Sequence, residues 1–483
     1  MTSLHLPFLE LCVLLPAAGA LWVARTRDPQ AARRRSLAIS GLVLLSAAAA
    51  WLDLSLLHAF QAADRWDPLA WLAGREVLSV DELSAPLLPL AALQFFLTEL
   101  ATLRTKVRRF SFASTLAAES LVLATLACRN PWGVVGLLIA GAVPAWLELR
   151  RRACSTRVFT LHMGAMAGLL LAGQTLVSLG PPESAAVTWG SLLLAAAVLL
   201  RNGAAPVHCW MTDLFAKASF GAALLFVTPM VGAYGAMRLV LPTAPDWILA
   251  LLAVWSLATA AYASGMALVQ HDTRQFFCYL FLSRASLVLV GVEIATPIGL
   301  TGGLCVWLSV GLAMSGFGLT LRAVETRSGK LSLDAYQGLY EAMPTLAGFF
   351  LLTGLASIGF PGTIGFIAVE LLVEGAINAY PAVGAIVVLS AALNGIAVVH
   401  AYFRIFTGRA HAGAIDLRVR SAERLAIVTL SLLILGGGLY PQPGAASRYH
   451  AAQSLVAARQ RRGLDLGDRH EGGTDGRLGE RSE

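Results

Sequence analysis

This sequence of 483 residues contains little charge: only 13% of its residues are Asp, Glu, Lys or Arg. A soluble globular domain carries about 25%. Hydrophobic residues make up 57% of the chain, and its mean hydropathy is +0.68. Apolar runs of roughly 20 residues, the length that crosses a bilayer as an α-helix, recur many times. These features exclude a soluble protein and predict an all-α integral membrane protein.

The sequence also lacks the motifs that hold cofactors and metals. Its six cysteines are dispersed and form no Cys-x-x-Cys pair, so no iron–sulfur, zinc or haem site is indicated. No Gly-x-Gly-x-x-Gly, Walker or nucleophile-elbow pattern stands in a fitting context. We therefore expect no cofactor, no metal and no catalytic redox residue in this chain.

About fourteen transmembrane helices are predicted, two of them broken. They cover residues 5–25, 36–58, 84–103, 110–128, 132–148, 158–179, 184–217 (broken), 219–241, 245–269, 274–295, 299–321, 342–378 (broken), 381–405 and 423–441. The first run lacks a basic segment ahead of it and is followed by arginines, so we expect a retained helix and not a signal peptide. Residues 442–483 are rich in Gly, Arg, Asp and Glu, which predicts a disordered polar tail.

Charge is distributed unevenly between the predicted loops. Four odd-numbered loops are basic, with Arg25, Arg27, Arg33, Arg34 and Arg35 in the first, Arg104, Lys106, Arg108 and Arg109 in the third, Arg150, Arg151, Arg152 and Arg157 in the fifth, and Arg409, Arg418, Arg420 and Arg424 in the thirteenth. The second loop is acidic, with Asp64, Asp67, Glu76, Asp81 and Glu82. By the positive-inside rule, both termini are expected on the outer side of a cell inner (cytoplasmic) membrane. The net charge of +7 then reflects topology and indicates no nucleic-acid partner.

Two polar breaks interrupt the apolar pattern. The first lies between Arg201 and Phe220 and contains Pro206, which removes a backbone donor. The second is the Gly-Phe-Pro-Gly-Thr stretch at residues 359–363. In lipid an unsatisfied backbone group costs several kcal/mol, so such breaks persist only inside protein or beside a wet cavity. Corresponding breaks in two halves of a chain predict a transport path at the membrane midplane.

Five short motifs stand in order along residues 80–410. They are Asp81-Glu82-Leu83-Ser84; the stretch from Arg201 to Asp213 with Pro206, His208 and Trp210; Gly232-Ala233-Tyr234-Gly235 with Arg238; Asp272-Thr273-Arg274; and the stretch from Leu355 to Thr363 followed by Gly365, Phe366 and Glu370. In these motifs the sequence resembles the antiporter-like membrane subunits of respiratory complex I, membrane-bound hydrogenases and Mrp-type cation/proton antiporters. It is most similar to the M-type subunit of complex I. Each motif alone is weakly specific, but five in order are more specific.

The resemblance implies two inverted five-helix repeats, each with one broken helix. It divides the chain into an N-terminal three-helix segment (1–109), the two repeats (110–241 and 245–405), a last helix (406–441) and the tail (442–483). It also implies other membrane subunits as partners, in a larger complex similar to NADH:quinone oxidoreductase or to a hydrogenase. Protons would then move along buried ionisable residues near the broken helices.

The sequence departs from this family at positions that are expected to relay protons. The family's fifth-span glutamate falls near Ile139, its eighth-span lysine falls at Met230, and its seventh-span lysine is Arg201. The usual eleventh-span histidines are replaced by residues such as Ser309 and Ser315. The relay that the resemblance suggests is therefore only partly present.

Four residues are predicted to form the proton path: Glu119, Arg201, His208 and Glu370. An arginine has a pKa above about 12, so Arg201 is expected to act mainly as a fixed charge, with a snorkelling arginine as the alternative. Glu119 is the best substitute for the missing acid, with Arg201 as its partner, or else it is protonated and bonded to a neighbouring helix. His208 is either a proton shuttle or a neutral cap on broken-helix carbonyls.

Six further residues are secondary candidates for the path: Asp213, Lys217, Asp272, Arg274, Glu374 and His400. Glu374 shares one helix face with Glu370, which suits holding a proton, although it is expected at the membrane surface. Asp272 and Arg274 are expected to form a solvated pair in a loop. Lys217 is expected to lie at the membrane interface.

Three functions remain open from the sequence. The first is a proton-conducting, antiporter-like subunit that works with partner membrane subunits in the lipid bilayer. The second is an energy-coupling or structural scaffold without its own full proton path, motivated by Ile139 and Met230. The third is a subunit that drives uptake of another species, such as inorganic carbon or a cation.

Overall fold

The computed structural model describes residues 2–65, 77–181, 184–293, 297–377, 381–408 and 419–474. Four of the residues used to orient the loops, Asp67, Glu76, Arg409 and Arg418, lie outside these ranges.

Three helices form the N-terminal segment: α1 (Phe8–Ala24), α2 (Pro29–Leu56) and α3 (Leu87–Leu100). Helix α2 begins where the Asp28 carboxylate accepts hydrogen bonds from the backbone amides of Gln30 and Ala31, with Pro29 in the first turn. Three short strands, β1 (Thr2–Leu4), β2 (Gln61–Asp64) and β3 (Val80–Asp81), join the helix ends. Strand β2 pairs in parallel with β1 and antiparallel with β3, so the all-α prediction is corrected by one small sheet.

The middle of the chain folds into α4 (Phe112–Ala127), α5 (Pro131–Ala140), α6 (Val143–Arg151), α7 (Arg157–Leu179), α8 (Ala185–Arg201), α9 (Cys209–Lys217), α10 (Phe220–Val227) and α11 (Val231–Gly235). A 3-10 helix (Arg104–Arg109) precedes α4, and a π-helix (Ala236–Val240) follows α11. The span predicted as continuous over 219–241 is instead interrupted at Met230, whose φ of 52° is left-handed. This correction adds an irregular backbone segment beside the first break.

The second half contains α12 (Asp246–Leu268), α13 (Thr273–Glu293), α14 (Pro297–Ser328), α15 (Pro344–Ile358), α16 (Ile364–Ile377) and α17 (Pro381–Phe406). Helices α13 and α14 are buried along most of their length and form the centre of the molecule. Small residues allow them to approach closely, because a Cβ atom added at Gly291 would lie 2.7 Å from the Gly303 Cα atom.

Two more helices complete the chain: α18 (Ser421–Leu439) and α19 (Gln442–Thr474). The prediction of a disordered tail is therefore wrong for the first part of that segment. Arg448 in α19 is fully buried and donates hydrogen bonds to the carbonyl oxygens of Glu82 and Leu83. Arg459 donates to the carbonyl oxygen of Leu241, so α19 is bonded to the N-terminal segment and to the end of the middle region in a way that composition alone does not predict.

Nine helical segments within the described ranges are long and apolar enough to cross a membrane, counting α5 with α6, and α10 with α11 and the π-helix, as one segment each; shorter apolar helices accompany them. Both predicted breaks are present, because α8 stops eight residues before α9 and α15 stops six residues before α16. The architecture is that of a multi-pass helical membrane protein.

Candidate functional site

At the first break, side chains form hydrogen bonds with backbone groups that lack their helical partners. The Trp210 indole donates to the Leu200 carbonyl oxygen at 2.9 Å, and the Thr259 hydroxyl accepts from the Ala205 amide at 3.1 Å. The Trp255 indole donates to the Ala205 carbonyl oxygen at 2.6 Å. Backbone groups exposed by a broken helix need such partners in a membrane, so the break is a built feature of the fold.

Arg201 ends α8 and lies buried at this break, with 6% of its surface exposed. Its guanidinium donates to the Phe226 carbonyl oxygen at 3.2 Å and lies 4.1 Å from the centre of the Phe226 ring. The Trp210 ring centre is 5.8 Å away. No salt bridge joins Arg201 to an acidic side chain in the described part of the chain. The positive charge is held by a carbonyl group and aromatic faces.

Glu119 does not pair with Arg201, so this part of the prediction is wrong. The Glu119 side chain is fully buried against α2 and accepts a hydrogen bond from the Ser40 hydroxyl at 2.6 Å. This matches the alternative prediction of a glutamate bonded to a neighbouring helix. The reason is helical phase: Ser114, Ala118 and Thr125 line the cavity that Arg201 also lines, and Glu119, one residue after Ala118, is rotated by about 100° from them towards α2.

A cavity of about 50 Å³ extends from Arg201 to Glu148, between α4, α6 and α10. One water needs roughly 10–15 Å³ of such space, so about three to five waters fit. The buried Glu148 carboxylate accepts from the Arg152 guanidinium at 2.7 Å and from the Ser219 amide at 3.4 Å. Sequence reasoning missed Glu148 because an acid beside three arginines at a span end resembles an interfacial residue.

His208 lies on the other side of the break, facing the second half of the chain. Its Nε2 atom is 3.2 Å from the Tyr279 hydroxyl oxygen, and the rings of Tyr262 and Tyr279 lie within 5.6 Å of its own ring. Its Nδ1 atom is buried within the protein. Arg201 and His208 thus lie at the same break but contact different helices: Arg201 contacts α10, and His208 contacts α12 and α13.

Arg284 is a second buried cation that sequence reasoning missed. It lies in the middle of α13, has no exposed surface, and none of its three guanidinium nitrogens has a hydrogen-bond partner in the described residues. Its neighbour Ser283 accepts a hydrogen bond from the Asn394 amide at 2.8 Å, which joins α13 to α17. The sequence could have identified Arg284, because placing a single arginine inside an apolar span costs free energy and such a residue usually serves a function.

Four secondary candidates have structural partners. Lys217 pairs with Asp213 at 2.5 Å, one helical turn away in α9. The Asp272 carboxylate accepts from the Arg274 amide at 2.7 Å and caps the start of α13. Arg274 is buried and forms a bidentate pair with Glu325, so the predicted solvated pair between Asp272 and Arg274 is wrong.

The second break contains two left-handed glycines, Gly359 and Gly362. The Gly438 backbone of α18 approaches this break closely: a Cβ atom added at Gly438 would lie 2.4 Å from the Gly362 carbonyl oxygen. Beyond the break, Glu370 and Glu374 are both exposed on the outer surface of α16. His400 is also exposed, on α17, and so these three candidates do not join the buried groups of the first break.

Comparison with known proteins places the chain among membrane subunits. Residues 152–394 match the family described as "NADH:quinone oxidoreductase/Mrp antiporter, TM". NAD(P)H-quinone oxidoreductase chain 4 1 of Synechococcus sp. (strain JA-3-3Ab) is 30% identical over 96% of this chain and 95% of its own length.

Solved structures agree with this match. One chain of respiratory complex I from Thermus thermophilus superposes with a TM-score of 0.80 at 25% identity, covering 93% of this chain and 99% of its own. A chain of the Mrp complex from Dietzia sp. DQ12-45-1b shares the fold, with a TM-score of 0.81 at 18% identity over 93% and 98% of the two chains.

Proposed function

Because this chain belongs to the NADH:quinone oxidoreductase/Mrp antiporter membrane-subunit family, we propose that it is a proton-translocating, antiporter-like subunit of a larger membrane complex. It works beside other membrane subunits. In the described residues no group of three or more His, Cys, Asp or Glu side chains is arranged to hold a metal. Redox chemistry, where the complex performs it, belongs to the partner subunits.

The observation that supports this proposal is the buried Arg201 at a broken helix, sharing a cavity with Glu148. Arg201 remains charged and repels an excess proton in the cavity waters. Glu148 is the group on the same cavity that can accept and release a proton. When the Glu148 carboxylate gains or loses a proton, the electrostatic field at Arg201 changes. The two residues together therefore form a gate for protons.

The path continues from the first break through His208 to Tyr279 in α13. Arg284 in the same helix supplies a second fixed charge. Glu119 joins it from the N-terminal side. Glu370 is exposed on a membrane helix, and a charged side chain facing lipid costs about 2.5–3.5 kcal/mol. A neighbouring subunit that covers α16 would remove this cost and make Glu370 part of a path between subunits.

We also propose the arrangement of the chain that the family resemblance implies. We assign fourteen membrane spans, an N-terminal three-helix segment (1–109) and inverted repeats at 110–241 and 245–405, followed by the last helix (406–441) and the C-terminal segment (442–483). The basic odd-numbered loops support an orientation with both termini on the outer side of a cell inner membrane. The two broken helices then lie near the midplane.

A second function is an energy-coupling scaffold, for example in inorganic carbon or cation uptake. The specific observation in its favour is that Arg201 has no acidic partner in the described residues and that Ile139 and Met230 stand where the family carries ionisable groups. A scaffold requires the polar groups for packing alone.

The test is proton translocation by the purified complex in sealed proteoliposomes. Arg201→Met and Glu148→Gln are expected to slow translocation at least about tenfold, equivalent to about 1.4 kcal/mol in the barrier, while assembly is normal. Arg201→Lys is expected to retain part of the rate. Arg34→Met, which removes an exposed arginine, serves as the control. Unchanged translocation by assembled Arg201→Met and Glu148→Gln complexes would leave the scaffold function.

A further inference from the structure

The N-terminal three-helix segment holds a line of buried polar groups separate from the Arg201 cavity. Ser36 and Ser40 lie one turn apart on α2 and face the same side. The Ser36 hydroxyl is 2.7 Å from both carboxylate oxygens of Glu99, and the Ser40 hydroxyl is 2.6 Å from Glu119. All four side chains have no exposed surface.

The surroundings of Glu119 indicate that this line of polar groups holds a proton. Glu119 forms no salt bridge within the described residues, and its Oε1 atom is buried without a hydrogen-bond partner. An ionised carboxylate in such surroundings is very costly, so the group takes up a proton. Its unpartnered oxygen is then the position at which a proton is held or released.

A cavity large enough for water lies beside one end of this line. A cavity of about 470 Å³ is lined by Arg33, Leu100, Thr102, Arg420 and Glu423, at the level of the basic loops. The Arg33 guanidinium donates to the Leu100 carbonyl oxygen at 3.1 Å, and Leu100 is the residue that follows Glu99. On the cavity wall Glu423 is already paired with Arg327, whereas Glu99 is a buried acid that interacts electrostatically with Arg33 and has no such pair among the described residues.

Serine hydroxyls can connect the two acids because each both donates and accepts a hydrogen bond. Ser36 and Ser40 are separated by four residues, a rise of about 6 Å along the helix, which one water can bridge. Each transfer moves one proton onto a serine oxygen while the serine passes its own proton to the next acceptor. No atom is gained or lost along the line.

We propose that Glu99, Ser36, Ser40 and Glu119 form a proton-loading site that takes up protons from the Arg33 cavity and delivers them to the interior of the subunit. This inference rests on the proposed function, because the delivered proton must then be translocated. It assigns a loading role to the N-terminal segment, outside the two broken helices.

The test follows the protonated carboxyl group directly. Infrared spectra of the whole complex with isotope-labelled glutamate should show a protonated carboxyl band that disappears in Glu119→Gln. In the double variant Ser36→Ala with Ser40→Ala, exchange of this band with heavy water should slow at least about tenfold, as expected for loss of hydrogen bonds to a carboxyl group. Ser55→Ala, an exposed serine of the same helix that bonds only the Trp51 carbonyl oxygen, should exchange at the original rate.

The outcomes separate this inference from the proposed function. A missing band, or equal exchange rates in the double variant and the parent, would refute the loading site even if the complex translocates protons normally. If the band and its slowed exchange are found but no variant at Arg201 or Glu148 affects translocation, the loading site stands and the proposed gate fails.

Discussion

Arg238 and Asp81, which stand 157 positions apart, form a salt bridge with a distance of 2.8 Å between Nη2 and Oδ1. Asp81 precedes α3, whereas Arg238 lies in the π-helix at the end of the eighth predicted span. The two residues come from two different motifs of the family resemblance. The pair therefore ties the N-terminal segment to the first repeat.

This pair makes the stability of the protein sensitive to acid. Burial alone raises the pKa of the Asp81 carboxyl, but Arg238, Arg129 and the Ser84 amide outweigh burial and hold the pKa at about 2. Because this pKa lies below that of an unfolded aspartate, about 3.9, the stabilisation is present above pH 4 and is lost as the pH falls towards 2. Asp81→Asn is expected to lower the melting temperature in detergent at neutral pH. The melting temperatures of the two proteins should converge in acid, and a constant difference would contradict the prediction.

Arg284 is expected to reduce stability while serving function. Replacing a buried ionic group by an apolar side chain of similar size is often neutral or stabilising by about 1–4 kcal/mol, and Arg284 has no partner to lose in the described residues. Arg284→Met should therefore melt at an equal or higher temperature but translocate protons more slowly. Arg274→Met is the matched control, because it leaves the half-buried Glu325 carboxylate without its cation and should clearly lower the melting temperature. A marked loss of stability in Arg284→Met would show that the arginine has a structural partner.

Packing of α18 against the second break depends on Gly438. Gly438→Ala places a methyl group 2.4 Å from the Gly362 carbonyl oxygen, so the helix must shift, at a cost of about 1–3 kcal/mol. Gly436→Ala meets nothing within 4 Å and should be neutral or slightly stabilising, because alanine favours the helix. Thermal unfolding of both variants measures the difference. Equal melting temperatures of the two variants would mean that α18 does not pack closely against the second break.

Arg448 is expected to hold α19 against the rest of the chain. Arg448→Met leaves the carbonyl oxygens of Glu82 and Leu83 without this donor, and should cost about 1–3 kcal/mol. Hydrogen exchange at residues 442–460 should accelerate, while Gln453→Met, at an exposed position of the same helix, should leave it unchanged. Unaltered exchange in Arg448→Met would assign the order of α19 to its apolar contacts alone.

The sequence by itself determined the membrane class, both broken helices and the family, and it put Arg201 and His208 beside the first break. These conclusions depend on local features: apolar length, proline, glycine and charges close together in the chain. Such features act over a few residues, so they can be recognised without knowing which helices become neighbours.

Only the tertiary structure decided which buried groups meet. Sequence reasoning placed Glu119 beside Arg201, whereas the phase of α4 turns Glu119 to Ser40 and leaves the Arg201 cavity to Glu148. It also could not show that Arg284 would find no hydrogen-bond partner among the described residues. Helical periodicity tells which residues share a face, but the helix that this face meets is set by packing between segments far apart in the chain.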